Sequence, residues 1–216
     1  DHTLFKPNLK QEDIIKACDE ASENNFYSVC IPPEFVKDAF DYRVKCKYSY
    51  AIATVISFPH GNSTTADKVS QIRHAIENGA DELDVVINIS NVLSGNWLRV
   101  RDEIYNVRKT STQKVVKYIL EFGYLTNEQI LKVTGILVDY NIDFVKTSTG
   151  FGPRGATEDD VRLIKSEFGS KIKFKASGGI RDFDFASRLI SLGADRLGTS
   201  SSIDIVNKAL SESLDY

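Results

Sequence analysis

Residues 115–148 read VVKYILEFGYLTNEQILKVTGILVDYNIDFVKTS. The run from Val115 to Glu121 is short, apolar and β-branched, the composition of a buried parallel strand. Thr126 then opens a helical pattern as an N-cap, and the pattern runs to Tyr140. A second short strand follows from Asp143 to Ser148, with Lys146 between Phe144-Val145 and Thr147-Ser148. Strand, helix and strand at this spacing make a βαβ unit, which demands parallel strands joined by a crossover.

The same alternation extends in both directions. Upstream, the candidate strands are Asp1 to Phe5, Phe26 to Ile31, Ala51 to Phe58 and Glu82 to Ile89. Downstream they are Ile172 to Ser177 and Asp195 to Thr199. Asn8 to Asn24 is helical, because Leu9, Ile14, Ala17, Cys18 and Ala21 recur at three- and four-residue steps. Thr65 to Asn78 is helical and stops at Gly79. Thr157 opens another helix, with Glu158, Asp159 and Asp160 where the helix dipole favours acids. Asp182 to Ser191 stops at Gly193, and Ile203 to Leu214 forms the last helix. Eight strands alternating with about eight helices predict an α/β fold: a single (β/α)8 TIM barrel over residues 1–216, in one domain. An open doubly wound sheet is the alternative. The barrel is preferred because eight such units in 216 residues sit at the short end of its size range.

Composition narrows the function. The net charge of −3 offers no global positive field to nucleic acid or an anionic membrane, so neither is expected as a partner. No apolar run approaches the ~20 residues of a membrane span, and no secretion signal is visible. Cys18, Cys30 and Cys46 are odd in number and irregularly spaced, fitting neither a disulfide framework nor a metal pattern, so a reducing cytoplasm is the expected location. The sequence contains no methionine, so a few N-terminal residues are expected to be missing from it.

The unusual letters are charged residues inside apolar strands: Asp84 in Glu82-Leu83-Asp84-Val85-Val86-Ile87, Lys146, and Lys175 in Lys173-Phe174-Lys175-Ala176-Ser177. Alternation places Asp84, Val86 and Asn88 on one face, and Lys173 and Lys175 on one face. A lysine in such surroundings must be paired, displaced in pKa, or both. Lys146 and Lys175 lie near the C-terminal ends of adjacent strands, where barrel enzymes place chemistry. Two ammonium groups at close range disfavour each other's charge, and a neutral, desolvated lysine is the form that attacks carbonyls. The competing reading is structural: the lysines pair with barrel acids such as Asp84 and Glu121. Lys173 and Lys117 are placed deeper in the barrel.

Ser177-Gly178-Gly179-Ile180-Arg181 follows strand seven, and Leu197-Gly198-Thr199-Ser200-Ser201 follows strand eight. Loops at these places often hold a phosphate against a helix N-terminus. Gly150 offers a third backbone N–H. The competing reading is a tight turn at Gly178-Gly179 and a helix cap at Ser200 or Ser201.

These letters resemble the deoxyribose-phosphate aldolase family. The resemblance is carried by Asp1-His2-Thr3-Leu4, Val29-Cys30-Ile31-Pro32-Pro33, Phe58-Pro59-His60-Gly61, Glu82 to Asn88, Phe144 to Pro153, Lys173 to Arg181 and Gly198 to Ser201. It implies reversible cleavage of 2-deoxy-D-ribose 5-phosphate, a sugar phosphate, to D-glyceraldehyde 3-phosphate and acetaldehyde, by a Schiff-base mechanism with no metal or organic cofactor. It implies Lys146 as the nucleophile, Lys175 as the ammonium that lowers the pKa of Lys146, and Asp84 in a proton relay. It assigns substrate contacts to Asp1, Cys30, Thr147, Gly150, Gly178, Gly179, Gly198, Ser200 and Ser201. A homodimer or larger homo-oligomer is expected on fold analogy.

The chain departs from the family pattern at Arg154, where glycine is common, at Phe122 after Glu121, and at Phe151, where some members carry lysine. Tyr216 is not expected to act in catalysis. The rival functions are an aldolase for a longer sugar phosphate, a transaldolase-like enzyme, and an inactive barrel that senses sugar phosphate.

Overall fold

The computed structural model describes residues 1–214, with side chains as far as Ser211; Tyr216 lies outside the described residues. Eight short strands run in sequence order: β1 (His2–Thr3), β2 (Ser28–Ile31), β3 (Ala51–Ile56), β4 (Glu82–Val86), β5 (Val115–Ile119), β6 (Phe144–Lys146), β7 (Lys173–Ser177) and β8 (Arg196–Gly198). Every neighbouring pair is parallel. The two edges meet through a His2–Thr199 bridge, where Thr3 N donates to Thr199 O at 3.0 Å and Thr199 N to Asp1 O at 3.2 Å. The sheet therefore closes into a barrel, and the open-sheet alternative falls.

The helices are α1 (Gln11–Glu23), α2 (Val36–Cys46), α3 (Thr65–Glu77), α4 (Ile89–Leu93), α5 (Trp97–Thr110), α6 (Asn127–Asp139), α7 (Glu158–Phe168), α8 (Phe183–Ser191) and α9 (Ser202–Leu214). Thr126 and Thr157 cap α6 and α7 through reciprocal capping boxes, as their side chains dictate. The strand expected to reach Ile89 ends at Val86. Asn88 instead caps α4, its side chain accepting from Asn91 N at 3.1 Å. Among the described residues, no helix is long and apolar enough to cross a membrane.

Two cores result from strand alternation. The large one lies between strands and helices and includes Ile14, Ile52, Leu83, Tyr118, Val133 and Phe174. Inside the barrel, Cys30, Ala53 and Val55 from β2 and β3 pack under Phe5 and Phe58. Charged residues from β4 to β8 occupy the remaining interior. A buried Lys68–Glu103 pair at 2.9 Å sits in the outer layer, where Lys68 also donates to Val86 O at 2.7 Å and pins the end of β4.

Candidate active site

Parallel register sets the heights of the interior charges. Asp84 on β4 is level with Lys117 on β5; Lys146 on β6 is level with Lys175 on β7, which is level with Arg196 on β8. Asp84 ties the lysines together: Lys117 Nζ donates to Oδ1 at 2.7 Å, while Lys146 Nζ and Lys175 Nζ donate to Oδ2, each at 2.8 Å. Lys117 also reaches Glu82 at 2.6 Å. Lys175 also pairs with Asp1, and Arg196 bonds Asp1 at 2.7 Å. Lys117 and Lys175 are each held by two carboxylates, and Lys146 by Asp84 alone. Glu121 pairs with none of the three.

Lys146 is different. Its pKa is lowered, first by burial and then by the Lys175 charge, while Asp84 works in the opposite direction. Burial alone would raise the Asp84 carboxyl, but Lys117, Lys146 and Lys175 hold it well below the usual carboxylate range. Asp84 is therefore a fixed anion. A neutral Lys146 amine carries the lone pair that carbonyl addition requires.

A cavity of about 700 Å³ opens above Lys146 at the C-terminal mouth of the barrel. Gly150, Gly178, Gly179, Gly198 and Ser200 line it together. Gly178 and Gly179 have φ of +85° and +76°, a left-handed conformation that glycine adopts without strain. The segment Thr199–Ser201 leads into the N-terminus of α9, and Lys6, Lys16 and Arg181 stand exposed on the rim. Peptide N–H groups, a helix N-terminus and the cations Lys6 and Arg181 form a setting for a phosphate, while Lys16 lies 3.6 Å from Glu20 on the same rim.

The other expected contacts do not face this cavity. Asp1 is buried against Lys175 and Arg196. Cys30 is fully buried, its Sγ 4.0 Å from Asp84 Oδ2, and burial followed by the Asp84 charge raises its thiol pKa. Thr147 lies past the end of β6, and its hydroxyl bridges to β7, donating to Ser177 O and accepting from Ser177 N, each at 3.0 Å. The Ser201 amide donates to Thr199 Oγ1 at 2.9 Å. Lys173, expected deep in the barrel, is exposed at the start of β7 with its ammonium 5.5 Å from the Phe144 ring. Solvent reaches it because β7 begins at the barrel's N-terminal rim.

The structure shows what each departure from the family pattern touches; Phe122 is buried edge-on against Phe174, with centroids 6.3 Å apart. Arg154 forms a bidentate pair with Asp160 in the first turn of α7, at 2.7 and 2.9 Å, so its charge is spent there. Phe151 is exposed and stacks edge-on against Phe58, with centroids 5.6 Å apart. Glu121 accepts from both the amide and the hydroxyl of Thr149, which ties down the loop carrying Gly150. A Cβ on Gly152 would come within 2.6 Å of the Glu121 carboxylate, so glycine there permits that contact.

Sequence reasoning missed Glu82 and Arg196. Both were legible by parity, lying two residues from Asp84 and Gly198 on the inward face. A Cβ on Gly198 would lie 2.9 Å from Lys175 Cε, so this glycine also makes room for that lysine.

Comparison with known proteins agrees with this geometry. The profile of DeoC/LacD family aldolases matches residues 1–198. A deoxyribose-phosphate aldolase of Dictyoglomus turgidum is 48% identical, aligned over 96% of this chain and 94% of its own length. Among solved structures, the aldolase QR15 superposes with a TM-score of 0.93 at 40% identity, covering 99% of this chain and 95% of that one. An enzyme from Aeropyrum pernix, described as a tetrameric deoxyribose phosphate aldolase, gives 0.87 at 28% identity over 98% of this chain and 89% of its own. A buried lysine of lowered pKa under a glycine-rich barrel mouth fits an aldolase, and the family match over residues 1–198 with near full-length similarity to aldolases places this chain in the DeoC/LacD family of aldolases.

Proposed function

We propose that residues 1–216 act as a single catalytic domain that reversibly cleaves 2-deoxy-D-ribose 5-phosphate to D-glyceraldehyde 3-phosphate and acetaldehyde. One observation carries the assignment of roles. Among the described residues, Lys146 is the one strand lysine that lines the cavity, and burial and the Lys175 charge lower its pKa.

The neutral Nζ of Lys146 adds to the C1 aldehyde of the open-chain sugar, and the resulting carbinolamine loses water to give an iminium. A base removes the proton of the C3 hydroxyl. The C2–C3 bond then breaks, its electron pair passes to the nitrogen-conjugated enamine, and C3 leaves as the aldehyde of glyceraldehyde phosphate. Protonation of the enamine carbon and addition of water release acetaldehyde and restore the amine. Lys175 supplies the like charge that disfavours ammonium on Lys146. Asp84, an anion throughout, holds both nitrogens and orders the proton transfers around the carbinolamine. Gly150, Gly178, Gly179, Gly198 and Ser200 receive the phosphate, whose binding energy positions the reacting carbons.

Borohydride trapping in the presence of acetaldehyde tests this directly. Peptide mass spectrometry is expected to find an ethyl adduct on Lys146, absent from Lys146→Leu, which is expected to fold and to be inactive. An active wild-type sample with unmodified Lys146 overturns the reading.

The tetramer described for the Aeropyrum pernix enzyme supports a homo-oligomer here, and light scattering at the mass of one 24.2 kDa chain would reject it. Three free cysteines support a cytoplasmic location, testable by cell fractionation.

A further inference from the structure

We propose that Arg196 on β8 is a positioning residue for this chemistry: by occupying Asp1 and Glu82, it leaves Lys146 as the one lysine of the buried cluster without a carboxylate of its own. The inference rests on the reading of Lys146 as the nucleophile.

The connected cluster holds three carboxylates, on Asp1, Glu82 and Asp84, and four cationic side chains, on Lys117, Lys146, Lys175 and Arg196. With every group charged, the cluster carries one excess positive charge in an interior that disfavours it. Arg196 cannot relieve the excess, because a guanidinium does not lose its proton in a protein. A lysine must.

Geometry selects which one. Lys117 is bound by Glu82 at 2.6 Å and Asp84 at 2.7 Å. Lys175 is bound by Asp1 and, at 2.8 Å, by Asp84. Lys146 has the single oxygen Asp84 Oδ2, which it shares with Lys175. The groups facing Lys146 are therefore Asp84 from β4, Lys175 from β7 and the thiol of Cys30 from β2, with Lys117 across the same Asp84 carboxylate. Of the three lysines, it loses least by releasing a proton.

Arg196 creates the imbalance. Its Nη1 bonds Asp1 Oδ1 at 2.7 Å and lies 3.3 Å from Glu82 Oε2. Its guanidinium carbon lies over two aromatic rings, 3.7 Å from the Tyr27 centroid and 5.4 Å from that of Phe144. Without Arg196, three lysines would meet three carboxylates, and Lys146 would hold its proton more readily. The charge on β8 thus acts on Lys146 through Asp1, Lys175 and Asp84, with no contact to substrate.

The test is the pH profile of full-length Arg196→Gln, Arg196→Lys and Glu82→Gln, read by kcat/KM for deoxyribose 5-phosphate and by the rate of borohydride trapping with acetaldehyde. Arg196→Gln is expected to move the acid limb of both profiles upward by about one pH unit, with activity recovering at alkaline pH. Arg196→Lys keeps the positive charge but offers a group that can release its own proton, so its limb is expected to lie between those of wild type and Arg196→Gln. Glu82→Gln removes an anion and is expected to move it downward, which keeps the proposal testable if Arg196→Gln does not fold. A uniform loss at every pH with an unmoved limb overturns the proposal, as does an unmoved limb in Glu82→Gln. A wild-type adduct on a residue other than Lys146 instead overturns the underlying assignment of the nucleophile.

Discussion

Lys146 and Lys175 donate to the same oxygen atom, Asp84 Oδ2, each at 2.8 Å. One carboxylate oxygen shared by two nitrogens keeps them close while compensating only part of their charge. Lys175 has Asp1 as a second partner, so it is Lys146, facing the cavity, that responds to the repulsion.

Replacing Lys175 with leucine removes that repulsion. The lowered pKa of Lys146 means that its reactive amine is present down to a lower pH than an ordinary lysine allows, and is lost as pH falls through that pKa. In Lys175→Leu the acid limb of kcat/KM should move to higher pH, with neutral-pH activity down about tenfold for a shift of one pH unit. Part of the lowering should survive, because burial, its largest cause, remains. A profile with its acid limb unmoved would rule out the electrostatic role of Lys175.

Asp84→Asn isolates the anion. Its folded-state pKa lies well below the unfolded value, so ionised Asp84 contributes stability above that unfolded value, and the contribution is lost as pH falls through the folded pKa. The asparagine variant leaves buried ammonium groups with one anion fewer, a change that typically costs about 3–5 kcal/mol. Urea unfolding at neutral pH should show a loss of that order, and a loss below about 1 kcal/mol would mean that the lysines are neutralised another way. Because Asp84 raises the pKa of Lys146, any residual activity should extend to lower pH.

Gly198→Ala tests the packing beneath the cavity. The added Cβ would sit 2.9 Å from Lys175 Cε and 3.3 Å from Ser177 Cβ. Lys175 must shift by a few tenths of an ångström, taking its ammonium away from Asp84. A misplacement of this kind near reacting groups costs on the order of 10–100-fold in kcat. Unfolding stability should change by less than the Asp84→Asn loss, since one flexible side chain can move. Wild-type kcat in Gly198→Ala would show that the position of Lys175 is not critical.

What the sequence revealed of this site follows from strand periodicity. A charged residue in an apolar strand needs a reason, and a period of two points it inward, so Asp84, Lys146 and Lys175 were legible. Glu82 and Arg196 share that parity but stand at strand starts, where a charge reads as solvated. Parity also turns Thr147, next to the inward Lys146, away from the cavity, where its hydroxyl bridges to β7; it was the resemblance, not the periodicity, that assigned it to substrate. The grip of Glu121 on Thr149 depends on a left-handed backbone, with φ of +54° at Glu121, and on a contact 28 residues away, neither of which leaves a local signature. Helices α2 and α5 received no bounds from the sequence; in α5 the buried stripe of Val100, Ile104 and Val107 also includes Glu103, whose burial is explained by Lys68 on α3 and the Asn88 amide.

Ser200→Glu separates phosphate binding from chemistry. Ser200 is exposed at the cavity wall beside the N-terminus of α9, so glutamate there fits without disturbing the core. Its carboxylate would oppose a phosphate dianion where the helix end and the glycine amides attract one. At a separation of about 5 Å and an effective dielectric near 20, each pair of unit charges repels by roughly 3 kcal/mol before salt screening. Even a third of that is about a fivefold loss in affinity. KM for 2-deoxyribose 5-phosphate should therefore rise at least several-fold, while kcat/KM for unphosphorylated 2-deoxyribose stays within about twofold. Raising ionic strength should shrink the difference, because the effect is Coulombic. Equal losses on the two sugars would place the phosphate outside the β7 and β8 loops, and the exposed Lys6, Lys16 and Arg181 would then be the cations to replace next.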